Sequence, residues 1–155
     1  MKSYFLVLLT CFLLFSCETK NKPKSEIETG ISFELAKYRK QQLTNVVYNL
    51  HFKIPNEIEN PIASKIQVDF IVNDLKKDVL LDFNEETSKL KSIKINGQKS
   101  EINHENEHIV IDKNKLSLGD NAVEIFFDAG EKSLNRNNEF LYTLLVPDRA
   151  NTLFP

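Results

Sequence analysis

The sequence has no tryptophan, four glycines and two cysteines among its 155 residues. Both cysteines, Cys11 and Cys17, lie near the N-terminus, so the rest of the chain has no pair that could form a disulfide. It contains no Gly-rich phosphate loop and no recognisable Ser/His/Asp or Cys/His set. Its 20 basic and 22 acidic residues are mixed and give a net charge of −2. These absences exclude a disulfide scaffold and argue against a nucleic-acid surface, which would be a clustered basic face.

The longest apolar run is at the N-terminus, where residues 5–15 follow Lys2. The run is shorter than the ~20 apolar residues that span a bilayer, and it predicts a signal peptide over residues 1–16. It ends in Leu14-Phe15-Ser16-Cys17, which resembles the lipobox of bacterial lipoproteins. That resemblance implies acylation of Cys17 and an exported lipoprotein anchored in the cell envelope. The alternative is an ordinary secretory signal followed by a chance cysteine.

Residues 17–29 are polar, include one proline and lack apolar periodicity. This composition predicts a flexible tether between Cys17 and a folded domain over residues 30–155. About 125 residues are enough for one ordinary domain with a single hydrophobic core.

The pattern of the domain is mostly that of β-strands. Residues 32–42 have helical spacing, with Ser32 as a possible N-cap. From residue 48 onward the apolar residues alternate with polar ones in about seven short runs, and Asn96-Gly97 predicts a tight hairpin. We therefore expect a mainly β fold, an antiparallel β-sandwich or curved open sheet with one short N-terminal helix.

Several of these segments, in this order, resemble the N-terminal domain of zinc aminopeptidases of the aminopeptidase N family. The matching segments run through the whole of residues 30–155. They are Gly30-Ile31-Ser32, Leu35-Ala36-x-Tyr38-Arg39, Asn45-Val46-x-Tyr48-x-Leu50-x-Phe52-x-Ile54-Pro55, Leu81-Asp82-Phe83, Asn96-Gly97, His108-Ile109-Val110-Ile111, Leu116-x-x-Gly119-x-Asn121, Ser133-Leu134-Asn135-Arg136 and the final Leu153-Phe154-Pro155.

The resemblance implies a β-rich domain that packs on a thermolysin-like zinc domain and forms one wall of the substrate cleft. In many family members a Gln-x-Glu shortly before the Phe-Pro contacts the α-amine of the peptide. Leu144 and Val146 occupy those two places here and cannot bind an ammonium group. We therefore expect no catalytic, substrate-binding or metal-binding residue in this chain. The family's zinc motif belongs beyond Pro155, so we expect an incomplete domain and no zinc bound to it.

One segment, from His104 to His108, has the spacing HExxH of a helical zinc motif. The residues before it lack an apolar face, and the β-branched residues after it indicate a strand. The family's third ligand, a Glu, would fall at Phe127, and Glu124 and Asp128 are out of register. The resemblance to the aminopeptidase domain implies that this segment lies on a hairpin, and we expect its His and Glu to be solvated.

Three functions follow as hypotheses. The first is the non-catalytic N-terminal part of a membrane-anchored zinc aminopeptidase, inactive alone, whose catalytic domain acts in cis or in trans. The second is a free-standing lipid-anchored β-domain that binds a partner protein, for example a separately encoded catalytic half. The third, a small zinc peptidase that uses His104, Glu105 and His108, is the least favoured.

Overall fold

The computed structural model describes residues 27–132, 134–143, 152 and 155. The predicted signal peptide, Cys17 and most of the predicted tether lie outside these residues. Leu144 and Val146 also lie outside them, so the predicted last strand is described only as far as residue 143.

The described chain has one α-helix, α1 (Phe33–Gln42), followed by ten β-strands and two short 3₁₀ turns. The strands are β1 (Leu43–Lys53), β2 (Ala63–Val72), β3 (Val79–Asp82), β4 (Leu90–Ile95), β5 (Gln98–Ser100), β6 (His104–Glu105), β7 (His108–Ile111), β8 (Gly119–Asp128), β9 (Leu134–Arg136) and β10 (Leu141–Thr143). The 3₁₀ turns are Thr87–Lys89 and Lys113–Lys115.

The strands form antiparallel open sheets. A five-stranded sheet has the order β1-β2-β8-β4-β5, a three-stranded sheet has the order β3-β7-β6, and β9 and β10 form a hairpin. All of these strand pairs are antiparallel. The predicted fold class, mainly β with one short helix before the strands, is confirmed.

Helix α1 begins where the sequence predicts. The Ser32 hydroxyl accepts a hydrogen bond from the Leu35 amide at 3.2 Å, which satisfies one of the amides left unpaired at a helix start. Glu34 lies in the first turn, and Arg39 and Lys40 lie in the last, which suits the helix dipole. At the other end the chain passes into β1 with Leu43 already extended.

The hairpin between β4 and β5 turns at Asn96 and Gly97, with φ values of 50° and 80°. Positive φ at both central residues is the geometry of a type I′ turn, which Asn-Gly adopts with little strain. The Asn96 amide donates to the Asn121 side-chain oxygen at 3.0 Å and so ties this turn to β8. The predicted hairpin is confirmed.

The core lies between the two larger sheets. Alternate residues of β2 and β8 point into it, as the period of two predicts. Its buried members are Ile62, Ile66, Val68, Phe70, Val72, Val79, Leu81, Phe83, Leu90, Ile93, Ile95, Ile109, Ile111, Leu116, Val123, Ile125, Phe127 and Ala129. On the outer face of β8, Glu124 forms ion pairs with Lys65 and Lys94.

Strand β1 departs from the prediction. Its alternating pattern predicts a half-buried strand, but only Leu43 and Phe52 are partly buried and the other nine residues are exposed. β1 lies at an edge of the five-stranded sheet, beyond β2. Alternation shows which side chains share a face and does not show whether another element covers that face, so this prediction was wrong.

Candidate functional site

The HExxH segment is an antiparallel hairpin, as expected. β6 and β7 are joined by Asn106 and Glu107, both with positive φ. His104 pairs with Ile109 and His108 pairs with Glu105, so the two histidines lie on opposite faces of the ladder. A helix would place them on one face around a metal ion. The hairpin therefore separates the two potential ligands.

The expectation that these histidines are solvated is wrong. The His104 ring packs against Phe83, and its Nε2 atom lies 2.9 Å from the Phe83 carbonyl oxygen. Its Nδ1 atom lies 2.9 Å from the Thr87 hydroxyl. His108 is 1% exposed, because β7 is the central strand of its sheet and is buried on both faces. Both histidines therefore have structural partners.

His108 belongs to a polar cluster with Arg39 and Asp82, which we call the Arg–Asp–His cluster. Arg39 of α1 makes two hydrogen bonds to the Asp82 carboxylate, at 2.8 and 2.6 Å. His108 Nδ1 lies 2.8 Å from Oδ1 of the same carboxylate. Asp82 and His108 are paired across β3 and β7 and share the face that α1 covers. Three elements thus meet at one carboxylate.

The second nitrogen of His108 is also occupied. Nε2 lies 3.1 Å from the Glu28 carbonyl oxygen and 3.0 Å from the Gly30 carbonyl oxygen. Both ring nitrogens of His108 therefore face hydrogen-bond acceptors. With both nitrogens bonded, His108 has no free nitrogen to ligate a metal or to act as a general base. The cluster fastens the segment before α1 to the sheet.

The charges of the Arg–Asp–His cluster affect the pKa of Tyr48 in β1. Loss of water around its hydroxyl raises the pKa of Tyr48, the negative charge of Asp82 raises it further, and Arg39 opposes the change. The Tyr48 side chain as a whole is half exposed. Tyr48 is therefore influenced by the charges of the cluster while about half of its side chain remains exposed.

A cleft of about 570 Å³ lies beside the cluster, between α1 and the start of β3. Residues on its two sides include Tyr38, Gln42, Lys77 and Lys113. The Lys77 ammonium lies 5.3 Å from the centroid of the Tyr38 ring, and the Gln42 amide donates to the Lys77 carbonyl at 2.9 Å. Glu28, Glu34 and Asp78 also line the cleft. Because the lining charges are of both signs, the cleft does not favour an anion.

The other residues considered as ligands are placed elsewhere. Phe127, at the position of the family's third zinc ligand, is buried in the core and packs edge-on against Phe83. Glu124 and Asp128 are on the outer face of β8 and pair with lysines. Within residues 27–132 and 134–143, no group of three or more His, Cys, Asp or Glu side chains could hold a metal ion.

The HExxH spacing indicates His108 as a candidate but does not indicate its partners. Arg39 and Asp82 were noted only as parts of matching segments. An available signal was that Leu80, Asp82, His108 and Val110 hold alternate positions on two apolar strands, which indicates a face buried by another element. The Arg39 side chain is long enough to reach from α1 to that face.

The chain matches no family model and no curated protein. In the part of the chain that the structure describes, no helix is long and apolar enough to cross a membrane.

Proposed function

We propose that this chain is the non-catalytic N-terminal domain of a lipid-anchored zinc aminopeptidase and acts as a docking domain for the catalytic zinc domain. Two observations support the proposal. The matching segments of the aminopeptidase N family run in order through residues 30–155, and the fold has the mainly β class that the resemblance implies.

The observation that carries the docking role is the uncovered apolar surface of β1. Tyr48 and Leu50 pair with Val68 and Ile66, which are fully buried in β2, so all four side chains share the core-facing side of the sheet. Tyr48 is 48% exposed and Leu50 is 36% exposed. The core face of the sheet therefore extends past the elements that cover it.

Other apolar side chains enlarge this surface. Val46 at the start of β1 and Ile54 just after its end are also exposed, whereas Val47 pairs with Asp69 on the opposite side of the sheet. A contiguous exposed apolar patch on a soluble domain marks an interaction site. Tyrosine is among the residues that contribute most to protein interfaces, because it buries a large rigid ring and keeps a polar hydroxyl.

The Arg–Asp–His cluster helps to fix the positions of the residues around the β1 surface. It holds α1 and the segment before it against β3 and β7, close to Tyr48. An interface whose side chains are already positioned loses less conformational entropy on binding. The cluster thus has a structural role, and both histidines of the HExxH segment are engaged in holding the domain together.

A second candidate is a free-standing lipid-anchored domain that binds a separate partner protein, and the same β1 surface supports it. The two candidates differ in what lies beyond the codon for Pro155. The DNA of the locus, read in all three forward frames, decides between them. A Cys-Phe-Asp-x-Pro continuation followed by a zinc motif with its distal Glu supports the aminopeptidase, whereas an unrelated gene supports the free-standing domain.

A binding experiment tests the docking role directly. Detergent-solubilised chain is isolated with its bound proteins, and chelator-sensitive hydrolysis of aminoacyl amides is measured in the isolate. Leu50→Lys places a charge on the apolar side of β1 and is expected to remove this activity. His51→Lys, on the opposite side of the same exposed strand, is the matched control and should retain it.

Two outcomes of this binding experiment would contradict the docking role of the β1 surface. Hydrolysis that persists in the purified chain alone, or that survives Leu50→Lys at the level of the control, would contradict a docking role for this surface. Far-ultraviolet circular dichroism and urea unfolding of both variants establish that the comparison is between folded proteins.

A further inference from the structure

We propose that the exposed face of α1 rests on the surface of the anchoring membrane, with Phe33 in the interfacial region and Lys37 and Lys40 at anionic headgroups. This inference rests on the proposed lipid attachment at Cys17. It adds a second, non-covalent contact, which sets the orientation of the domain on the bilayer.

The exposed face of α1 has one large apolar side chain, Phe33, with two lysines beside it. At about 100° per residue, Phe33, Lys37 and Lys40 lie within an arc of about 60° around the helix axis. All three are exposed, and Phe33 is 79% exposed, the highest value of the exposed large apolar residues. An apolar residue flanked by lysines suits a membrane surface, because the ring enters the interface while the ammonium groups stay among the phosphates.

The opposite face of the helix is committed to the domain. Leu35, Tyr38 and Arg39 are partly buried and Gln42 is fully buried. Arg39 bonds to Asp82 and Gln42 bonds to the carbonyl of Lys77. Helix α1 cannot turn its lysine-bearing face inward without breaking these bonds. The Phe33 side chain therefore points away from the protein in the folded state.

Glu34, the acidic residue of α1, does not lie at the centre of the face that would contact anionic headgroups. Glu34 lies about 100° from Phe33 around the axis, at the side of the cleft that Lys77 and Lys113 also line. The centre of the exposed face has two positive charges, Lys37 and Lys40, and Ile31, just before the helix, adds a second exposed apolar side chain.

Because α1 lies near Cys17 in the chain, its exposed face stays close to the bilayer. Ile27, the first described residue, is ten positions after Cys17, and a flexible chain of that length has an r.m.s. end-to-end distance of about 17 Å. A short flexible linkage gives an effective concentration in the millimolar range, so a weak intrinsic affinity is enough. Ile27, where the described chain begins, lies six residues before the start of α1.

The absence of tryptophan from the sequence allows a direct test. The chain from Cys17 onward contains every described residue, and Cys17 is its single thiol. This thiol is coupled to a maleimide lipid in vesicles of phosphatidylserine and phosphatidylcholine with brominated acyl chains. Attachment then does not depend on acylation in cells. Fluorescence quenching by bromine is measured for Phe33→Trp and for the control Phe140→Trp, which replaces an exposed phenylalanine beside β10.

We expect the tryptophan of Phe33→Trp to lose about half of its emission and to shift to shorter wavelength, because an interfacial indole leaves water. The tryptophan of Phe140→Trp should change little. In the Phe33→Trp background, Lys37→Glu with Lys40→Glu should remove most of the quenching, and Lys53→Glu with Lys99→Glu should leave it intact. Replacing phosphatidylserine with phosphatidylcholine should also reduce it.

Two results would overturn the inference: no quenching in Phe33→Trp, or equal quenching in Phe33→Trp and Phe140→Trp. Acylation of Cys17 is tested separately by mass spectrometry of the chain from cell envelopes. An unmodified Cys17 there would contradict the lipid anchor, whereas the vesicle result reports on the helix face alone.

Discussion

Strands β1 and β2 lie side by side and have the same alternating pattern, yet their apolar residues have different surroundings. Ile66 and Val68 of β2 are fully buried, while their direct partners Leu50 and Tyr48 of β1 are exposed. The hydrogen-bonded pairing is continuous from residue 47 to residue 53. The alternation of apolar and polar residues thus shows which side chains lie on the same side of a strand. That side becomes part of the core only where another element packs against it.

The largest effect is expected in β2. Ile66→Ala removes a fully buried side chain from between the sheets and should lower the free energy of unfolding by about 3 kcal/mol, from lost burial and the cavity left behind. Urea unfolding followed by circular dichroism measures this change. A loss as small as that of an exposed strand residue would show that the sheets do not form the core described.

The next effect is expected where α1 meets the sheet. Asp82→Asn keeps the shape of the side chain but removes the charge that faces Arg39 and His108, and it should cost about 2 kcal/mol. The Arg39 and Asp82 side chains are partly open to water, which keeps the cost below that of a fully buried pair. Asp120→Asn, on an exposed residue of β8, is the control. Equal free energies of unfolding for Asp82→Asn and Asp120→Asn would show that the Arg–Asp–His cluster does not stabilise the fold.

A smaller effect distinguishes the outer face of β2 from its core face. Hydrogen bonds from Lys65 and then from Lys94 hold the pKa of Glu124 below its ordinary value of 4.5. The stabilisation is therefore complete above that value and is lost as the pH falls through the lower pKa of the folded state. Because these groups are near solvent, we expect about 0.5 kcal/mol.

The test compares the native protein with Glu124→Gln in urea between pH 7 and pH 3. The difference in unfolding free energy between the two proteins should shrink in acid, while other carboxylates act equally in both. A difference that is constant with pH would mean that the ion pairs contribute nothing measurable.

The smallest effect on stability is expected in β1. Leu50→Ser removes an apolar side chain that is already in water to a large extent, and it should change the free energy of unfolding by less than about 1 kcal/mol. The same substitution should weaken the docking proposed above. If Leu50→Ser lowered the free energy of unfolding as much as Ile66→Ala, this side of β1 would be covered in the isolated chain. The contrast between an exposed β1 and a buried β2 would then be wrong.

Much of the fold was predictable from local patterns. The helix start at Ser32, the Asn96-Gly97 turn and the inward residues of β2 and β8 all follow from spacing and side-chain chemistry. Strands β5, β6 and β9 were not predicted as separate elements. Each has two or three residues, too few for alternation to be recognised, and each is defined by its partner strand.

The candidate site was less predictable than the fold. The HExxH spacing pointed to His104 and His108, and the β-branched residues after it correctly indicated a strand. Burial of His108 was missed, because it depends on α1 returning from a distant part of the chain to place Arg39 beside Asp82. No local pattern encodes a contact between residues 39 and 82.

The sequence by itself determined the mainly β class, the helix before the strands and the faces of the strands, because these follow from backbone preferences and from the period of side chains. The tertiary structure decided which faces are covered. It buried both sides of β7, left β1 open and brought Arg39, Asp82 and His108 together. The reason is that burial is a property of packing between distant segments, and the free energy of a side chain depends on its neighbours as much as on its own chemistry.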